Sequence, residues 1–314
     1  MEYIFLLFAF VCGLGVKLVG IPPLVGYLVA GFLLNTFGFS ATPAITTFAN
    51  LGITIMLFTI GLKLNLKDLS KREVWAGSIA HTVLWVVVIT AFLIGAGAVL
   101  SALTGQVDWQ SAALIAFALS FSSTVCVVKV LEEAGESKTR HGKLAIGVLV
   151  MQDIFAVVFL VVATGKIPSL WAPLLLLIIP LMPVLKRVLN QSGHGELLPL
   201  TGFIFALGGY HLFELVNIKG DLGALIFGLL FAPHPKASEM AKSLLAFKDL
   251  FLIGFFLSIG LTALPDINML MMSGLLVLII PFKFMLFFWL FTRLQLRGRT
   301  AYLGGLVLSN YSEF

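Results

Sequence analysis

Apolar runs long enough to cross a hydrocarbon core of roughly 30 Å recur along the whole chain. Hydrophobic residues make up 60% of the sequence and charged residues only 11%, which leaves too little polar surface to cover a water-soluble globule. Inside a bilayer every backbone polar group must be bonded within the protein, so runs of this kind predict helices. The sequence therefore predicts an all-α membrane protein over residues 1–314, without a separate soluble domain.

We predict about twelve spans. Their approximate bounds are 2–16, 23–38, 44–62, 74–103, 111–131, 143–164, 168–185, 197–215, 221–232, 249–264, 267–292 and 300–314. The first run has no Lys or Arg before it and no small-residue cleavage site after it, so we expect a retained span and not a signal peptide. The twelfth predicted span, which contains YLGGLVLSNYSEF, is still running at Phe314, which predicts a chain cut before its next span.

Basic residues concentrate in alternate loops. The odd-numbered loops contain 16 Lys and Arg residues, whereas the even-numbered loops contain 2. Because basic loops stay in the cytoplasm, we predict a multi-pass protein of the cell inner membrane with its N-terminus outside and its odd-numbered loops cytoplasmic. The net charge of +5 is explained by this topology, and we expect no nucleic-acid partner.

Three short segments recur in the same order, at offsets of 197, 199 and 189 residues. The pairs are Gly26–Gly31 with Gly223–Gly228, Thr59–Leu62 with Ser258–Leu261, and Leu119–Ser123 with Leu308–Ser312. Chance recurrence of Gly, Leu and Ser is the alternative for each match alone, but the ordered set favours a repeat. The matched spans run in opposite directions, which predicts inverted repeats at about 1–164 and 197–314, an arrangement typical of alternating access.

Polar residues from several spans share one depth in the predicted bilayer. Asp153 lies ten residues after Lys143, about 15 Å into the membrane at 1.5 Å per residue. The run Ser122, Ser123 and Thr124 also lies about halfway across, as do Lys283 and Glu313. A charged group at this depth costs at least about 2.5–3.5 kcal/mol, so such groups usually have a function. We therefore predict an ion-binding site centred on Asp153.

Each of these residues also has a structural interpretation. Asp153 could form an ion pair with Lys283. The hydroxyls of residues 122–124 could bond back to their own helix or join neighbouring helices, and because no Gly or Pro marks a break there, a local unwinding stays open. His81 and His211 are expected to be satisfied polar residues on apolar faces. Neither cysteine indicates a disulfide or a metal site.

The sequence resembles the monovalent cation:proton antiporters, most closely the Kef-type potassium:proton branch. The resemblance rests on PPLVGYLVAGFLLN (22–35), IMLFTIGLKLNL (55–66), ALSFSSTVCVVKVLEE (118–133), GKLAIGVLVMQDI (142–154), FFLSIGL (255–261) and LSNYSEF (308–314). It implies an inverted-repeat fold of thirteen spans with broken crossing helices, working as a homodimer by an elevator motion. The thirteenth span and the nucleotide-binding regulatory domain of Kef proteins are absent from this sequence, so that domain is expected only as a further C-terminal part or a separate partner.

The resemblance also implies roles for individual residues. Asp153 would bind K⁺ or a proton, with Gln152 preceding it. The first broken crossing helix would contain Ser122, Ser123 and Thr124, the second would contain Ser309, Asn310, Ser312 and Glu313, and Lys283 would be the charge-compensating residue near the site.

The function we predict is exchange of K⁺ for H⁺ by alternating access. One titrating acid suggests an electroneutral 1:1 exchange, since Gln152 carries no proton to exchange. The K⁺ assignment rests on the resemblance, and Na⁺/H⁺ exchange is the nearest alternative. A ligand-gated K⁺ channel is a further alternative, against which the inverted repeat argues. We expect no enzymatic activity and no cofactor in this chain, because neither a nucleophile–base pair nor a metal cluster is found in the sequence.

Overall fold

The structure is a computed structural model that describes residues 2–64, 70–99, 108–164, 169–262, 264 and 266–312. Every regular element in these ranges is helical. In chain order the elements are α1 Glu2–Leu18, α2 Pro23–Thr36, α3 Pro43–Lys63, α4 Arg72–Val99, α5 Trp109–Ser120, α6 Thr124–Glu133, α7 Arg140–Thr164, a 3-10 helix Ala172–Leu177, α8 Ile178–Gln191, α9 Leu197–Leu215, α10 Gly220–Phe231, α11 Ala237–Ser243, α12 Leu245–Thr262, α13 Ile267–Arg293 and α14 Gly298–Leu308.

The predicted class, an all-α membrane protein, is confirmed. Within the described residues, seven helices are long and apolar enough to cross a membrane, and three shorter apolar helices accompany them. The span predicted over 197–215 coincides with α9, and the span over 44–62 agrees with α3 to within one residue at each end. The total of twelve spans stays a prediction.

The helix of the last predicted span ends inside that span. The predicted bounds are 300–314, and the resemblance implies a break in this crossing helix at 309–313. In the structure α14 ends at Leu308 and residues 309–312 are not helical. The reason is local: the Ser309 hydroxyl donates a hydrogen bond to the Gly305 carbonyl at 2.6 Å, and the Asn310 side chain donates to the Val307 carbonyl at 3.0 Å. Short polar side chains thus satisfy helix-terminal carbonyls and favour an end at this point.

One compact unit is formed by Met1–Asn65 and Phe159–Leu270. Its central helix is α3, which packs against α10 and α12. Proline at the first helical position starts both α2 and α3, where the missing N–H costs nothing. The core contains Ile55 and Phe58 of α3 together with Phe205 and Phe231, whose rings stack at 4.5 Å.

Glycines allow very close helix crossings in this unit. A Cβ atom added to Gly31 would lie 2.5 Å from the Leu257 carbonyl oxygen and 2.8 Å from the Gly260 Cα, and one added to Gly61 would overlap α10 next to Gly228. In the internal repeat, Gly31 corresponds to Gly228 and Gly61 corresponds to Gly260. The contact Gly31–Gly260 therefore corresponds to the contact Gly61–Gly228.

The second compact unit is formed by Leu66–Val158 and Met271–Phe314. In this unit, α4 and α13 run antiparallel, and successive turns of the two helices are in contact. Phe291 lies beside Gly77, the Phe287 ring stacks on His81 with centroids 3.6 Å apart, and the next turn of α13 brings Lys283 to Trp85. This unit contains all the described residues for which a role in ion binding was predicted.

Candidate functional site

The first half of the site is an interruption in the helix that precedes the Asp153 helix. α5 ends at Ser120 and α6 begins at Thr124, and both Phe121 (φ −75°, ψ 150°) and Ser123 (φ −68°, ψ 115°) are extended. The Ser123 hydroxyl accepts a hydrogen bond from the Cys126 N–H at 3.1 Å. Serine is a favoured N-cap residue, so the start of α6 is explained without Gly or Pro.

The second half of the site is the non-helical run after α14, and it bonds directly to the first. The Ser122 hydroxyl donates to the Leu308 carbonyl at 2.6 Å, and the Ser123 N–H donates to the Asn310 side-chain oxygen at 2.7 Å. Both bonds join segments more than 180 residues apart in sequence. The structure therefore brings together the two segments that were predicted to line the site.

Gln152 closes the interruption from the side of α7. Its side-chain oxygen accepts a hydrogen bond from the Ser122 N–H at 3.0 Å, and its amide nitrogen donates to the Ser120 carbonyl at 3.4 Å. The side chain is buried, with 1% of the residue surface exposed. One neutral amide can supply both an acceptor and a donor, so it satisfies two backbone groups that a broken helix leaves without helical partners.

Lys283 binds the carbonyl ends of both interrupted segments. Its Nζ atom donates to the carbonyl oxygens of Leu119, Phe121 and Asn310 at 3.2, 2.8 and 2.7 Å. An ammonium group has three N–H donors, and these three carbonyls match that number. Because a helix C-terminus carries a partial negative charge, a cation at this position compensates the ends of α5 and α14 together.

Asp153 lies next to the beginning of α6. The Thr124 hydroxyl donates to the Asp153 Oδ2 atom at 3.5 Å, and the carboxylate is half-buried. Thr124 is the first residue of α6, where the partial positive charge of a helix N-terminus favours an anion. A carboxylate and a hydroxyl oxygen at this position can ligate a monovalent cation.

The remaining predicted residues have different outcomes. Ser312 lies in the same non-helical run as Asn310, whereas Glu313 lies outside the described residues. Two aromatic rings were not predicted: those of Trp85 and Tyr311, whose centroids lie 5.5 and 5.0 Å from the Lys283 ammonium. Tyr311 lies within the quoted LSNYSEF motif but was given no role, whereas Trp85 lies outside every quoted motif and meets Lys283 only through a contact between distant segments.

The expectation that both lone histidines are satisfied polar residues stays a prediction for His81. His211 lies 3.5 Å from Glu214. The two ring nitrogens of His81, however, have no hydrogen-bond partner among the described residues, although the side chain is fully buried. The reason is that α13 offers His81 the face of Phe287 and not a polar group. Within the described ranges, no group of three or more His, Cys, Asp or Glu residues could hold a metal ion.

Comparisons with known proteins identify the family of the chain. Residues 6–314 match the profile of the transmembrane sodium/hydrogen exchanger family. The chain is 30% identical over 288 residues to the putative cation/proton antiporter YbaL of Escherichia coli (strain K12), covering 82% of this chain and 50% of that protein.

Two further relatives are named for potassium. The identity is 29% over 304 residues with K(+) efflux antiporter 1, chloroplastic, of Arabidopsis thaliana, covering 86% of this chain and 25% of the relative. It is also 29%, over 301 residues, with the glutathione-regulated potassium-efflux system protein KefC of Klebsiella pneumoniae (strain 342), covering 87% and 47%.

The chain spans about half the length of YbaL and KefC and about a quarter of the plant protein. The family profile nevertheless covers nearly all of it, and the resemblance stated from the sequence motifs is confirmed. The chain belongs to the sodium/hydrogen exchanger family of cation:proton antiporters and is similar to its Kef-type members.

Proposed function

We propose that the protein exchanges K⁺ for H⁺ across a membrane, with Asp153 as the carboxylate that either ion occupies. The observation that carries this proposal is the position of Asp153, half-buried beside Thr124 at the start of α6. At this point the helix interruption brings a carboxylate, a hydroxyl and a helix N-terminus together. A cation and a proton compete for the same carboxylate oxygens, so binding one releases the other.

The surrounding residues support an electroneutral 1:1 exchange. Gln152 is neutral, and both ends of its amide bond the backbone of residues 120–122, so it orients the interrupted segment. Lys283 is balanced by carbonyls at two helix ends. Exchange at Asp153 then replaces one positive charge by another. A membrane potential alone should not drive this exchange in vesicles.

Alternating access of the elevator type is the mechanism we propose for the exchange. All described candidate residues belong to one compact unit, so they can move together as a rigid group. The helix crossings Gly31–Gly260 and Gly61–Gly228 occupy equivalent positions in the two matched segments. This equivalence supports inverted repeats at about 1–164 and 197–314. Such repeats, related by a pseudo-two-fold axis in the membrane plane, can form two states of similar energy that open to opposite sides of the membrane.

The choice of K⁺ over Na⁺ is supported by the names of two relatives, one a K(+) efflux antiporter and the other a potassium-efflux system protein. Na⁺/H⁺ exchange is the second candidate, because the matching family is described as a sodium/hydrogen exchanger. A ligand-gated K⁺ channel would differ from both candidates in showing flux that is neither saturable nor coupled to protons.

We further propose a homodimer in a cell inner membrane, with the N-terminus outside and the odd-numbered loops cytoplasmic. The distribution of Lys and Arg supports the orientation. No cofactor is proposed for this chain. Since YbaL and KefC are about twice as long as this chain, a nucleotide-binding regulatory domain would be supplied by a further segment or by another chain.

The test is cation-driven proton movement in proteoliposomes that contain the full chain. We expect a K⁺ gradient to move protons in the wild type and not in Asp153→Asn. The matched control is Asp108→Asn: Asp108 caps α5 through the Ser111 N–H at 3.2 Å, and asparagine caps equally well. Proton movement driven by Na⁺ and not by K⁺ would show that the exchanged cation is Na⁺. Exchange that survives in Asp153→Asn would overturn the proposal.

A further inference from the structure

His81 is a buried imidazole that the exchange mechanism above does not use. The residue has 0% of its surface exposed, and its ring stacks on Phe287 with an angle of 5° between the planes. The Trp85 ring lies 5.8 Å away on the next turn of α4. Both His81 nitrogens lack a hydrogen-bond partner within the described part of the chain. The aromatic faces position the ring but leave its polar atoms unused.

Other polar atoms on the same helix share this property. The Thr82 hydroxyl and the Trp85 indole N–H are also buried and also lack a partner among the described residues. Buried donors and acceptors in proteins are nearly always hydrogen-bonded, to ordered water where no protein group is available. Three such groups on two adjacent turns of α4 therefore require water as their hydrogen-bond partner.

His81 lies between two polar regions of this unit. His81 is nine residues from the start of α4 at Arg72, about 14 Å along the helix axis. A polar cleft lies at that end of α4, lined by residues that include Lys71, Glu73, Arg140 and Lys143. Deeper than His81 lie Trp85 and then Lys283, which bonds the carbonyl ends of α5 and α14. His81 thus lies between the cleft and the depth of the interrupted helices.

We propose that His81 relays protons between this cleft and the interrupted helices, an inference that rests on the proposed exchange of K⁺ for H⁺. A hydronium on the cleft side gives its proton to one ring nitrogen, and the imidazolium releases the proton on its other nitrogen to a water molecule nearer Lys283. The net result is one proton moved from the cleft side toward Lys283: the first hydronium becomes water, the accepting water becomes a hydronium, and the imidazole is neutral again with its proton on the other nitrogen. The reverse sequence returns protons to the cleft.

The neighbours of His81 make the charged form transient. The faces of Phe287 and Trp85 stabilise an imidazolium through cation–π interaction. The Lys283 ammonium acts on the same ring electrostatically and repels a second positive charge. Tyr311 is a further titratable group at the ammonium, with its ring centroid 5.0 Å from the Lys283 Nζ atom. A proton accepted by His81 is therefore passed on and not retained, as a relay requires.

The test compares two fluxes in the same proteoliposomes: K⁺/H⁺ exchange and Rb⁺/K⁺ exchange. The second flux uses the cation site and the carrier motion but needs no proton. For His81→Phe, which keeps an aromatic ring against Phe287, we expect K⁺/H⁺ exchange to fall by about tenfold or more. Rb⁺/K⁺ exchange and the K⁺ concentration at half-maximal rate should stay unchanged. A purely structural role would lower both fluxes together.

Two additional variants keep the test informative. If His81→Phe does not fold, His81→Gln provides the non-titrating side chain, and the same selective loss of proton-coupled flux is expected. His211→Phe is the control, because that exposed histidine lies beside Glu214, and both fluxes should be normal. Unchanged or equally reduced fluxes in a folded His81 variant would overturn the relay alone. No proton-coupled flux in the wild type would overturn the proposed exchange and the relay with it.

Discussion

The Lys283 ammonium joins the carbonyl oxygens of Phe121 and Asn310, at 2.8 and 2.7 Å. These two residues are equivalent positions of the internal match, 189 residues apart. One charge therefore compensates the C-terminal ends of two helices that occupy corresponding places in the two matched segments.

Lys283→Gln should lower the melting temperature of the detergent-solubilised protein. Glutamine is shorter and has two N–H donors for three carbonyl acceptors, and each buried acceptor left unbonded costs about 1–3 kcal/mol. Thermal unfolding followed by circular dichroism would measure the change. The control is Lys17→Gln, which alters an exposed lysine at the end of α1 and should leave the melting temperature unchanged. Equal melting temperatures for both variants would contradict the role assigned to Lys283.

Replacing Lys283 should also alter transport. With the compensating charge removed, the negative ends of α5 and α14 lie near a site that alternates between a cation and a proton. We expect Lys283→Gln to retain exchange with a shifted dependence on pH, measured as the rate of K⁺-driven proton movement across a pH series. A pH dependence identical to that of the wild type would remove this electrostatic role.

Gln152→Leu should destabilise the interruption between α5 and α6. The Ser122 N–H and the Ser120 carbonyl would lose their side-chain partner, at about 1–3 kcal/mol for each group left buried and unbonded. We expect a lower melting temperature and slower exchange, because Ser122 also bonds the Leu308 carbonyl. Gln191→Leu, at an exposed position at the end of α8, is the matched control. A stable, fully active Gln152→Leu would mean that the amide does not order the site.

Gly31→Ala should destabilise the unit built around α3. The new Cβ atom would lie 2.5 Å from the Leu257 carbonyl oxygen, and overpacking of this kind costs about 1–3 kcal/mol. Gly15→Ala is the comparison, because a Cβ there meets nothing within 4 Å. In a helix interior that change should be neutral or stabilising by up to about 1 kcal/mol. The melting temperature should therefore fall for Gly31→Ala and stay the same or rise for Gly15→Ala.

The helical class and several helix bounds could be predicted from the sequence because they depend on local hydropathy. α9 coincides with its predicted span, since its ends are set by the polar residues on either side of the apolar run. The depth argument also selected Asp153, Lys283 and residues 122–124, which the structure places in one compact unit. A polar residue within an apolar run can be recognised from the sequence alone.

Contacts between distant segments could not be predicted in the same way. The break at residues 121–123 carries no Gly or Pro, and it is completed by Gln152 and Asn310 from elsewhere in the chain. The resemblance implied a break near Ser309 and Asn310, but the hydrogen bonds that end α14 at Leu308 are visible only in the structure. For His81, the sequence shows a histidine on an apolar helix but not that α13 presents it with a phenylalanine ring.

The hydrogen bonds of Asn310 can form only late in the synthesis of the protein. Ser123 N–H and the Lys283 ammonium both bond to Asn310, one to its side chain and one to its carbonyl. During synthesis, chains fold from the N-terminus onward as residues emerge. The segment around Ser123 therefore enters the membrane without its partner and must wait for 187 further residues before its final hydrogen bond can form. A ribosome that stalls before residue 310 would therefore leave an inserted chain whose interrupted helix lacks this hydrogen bond.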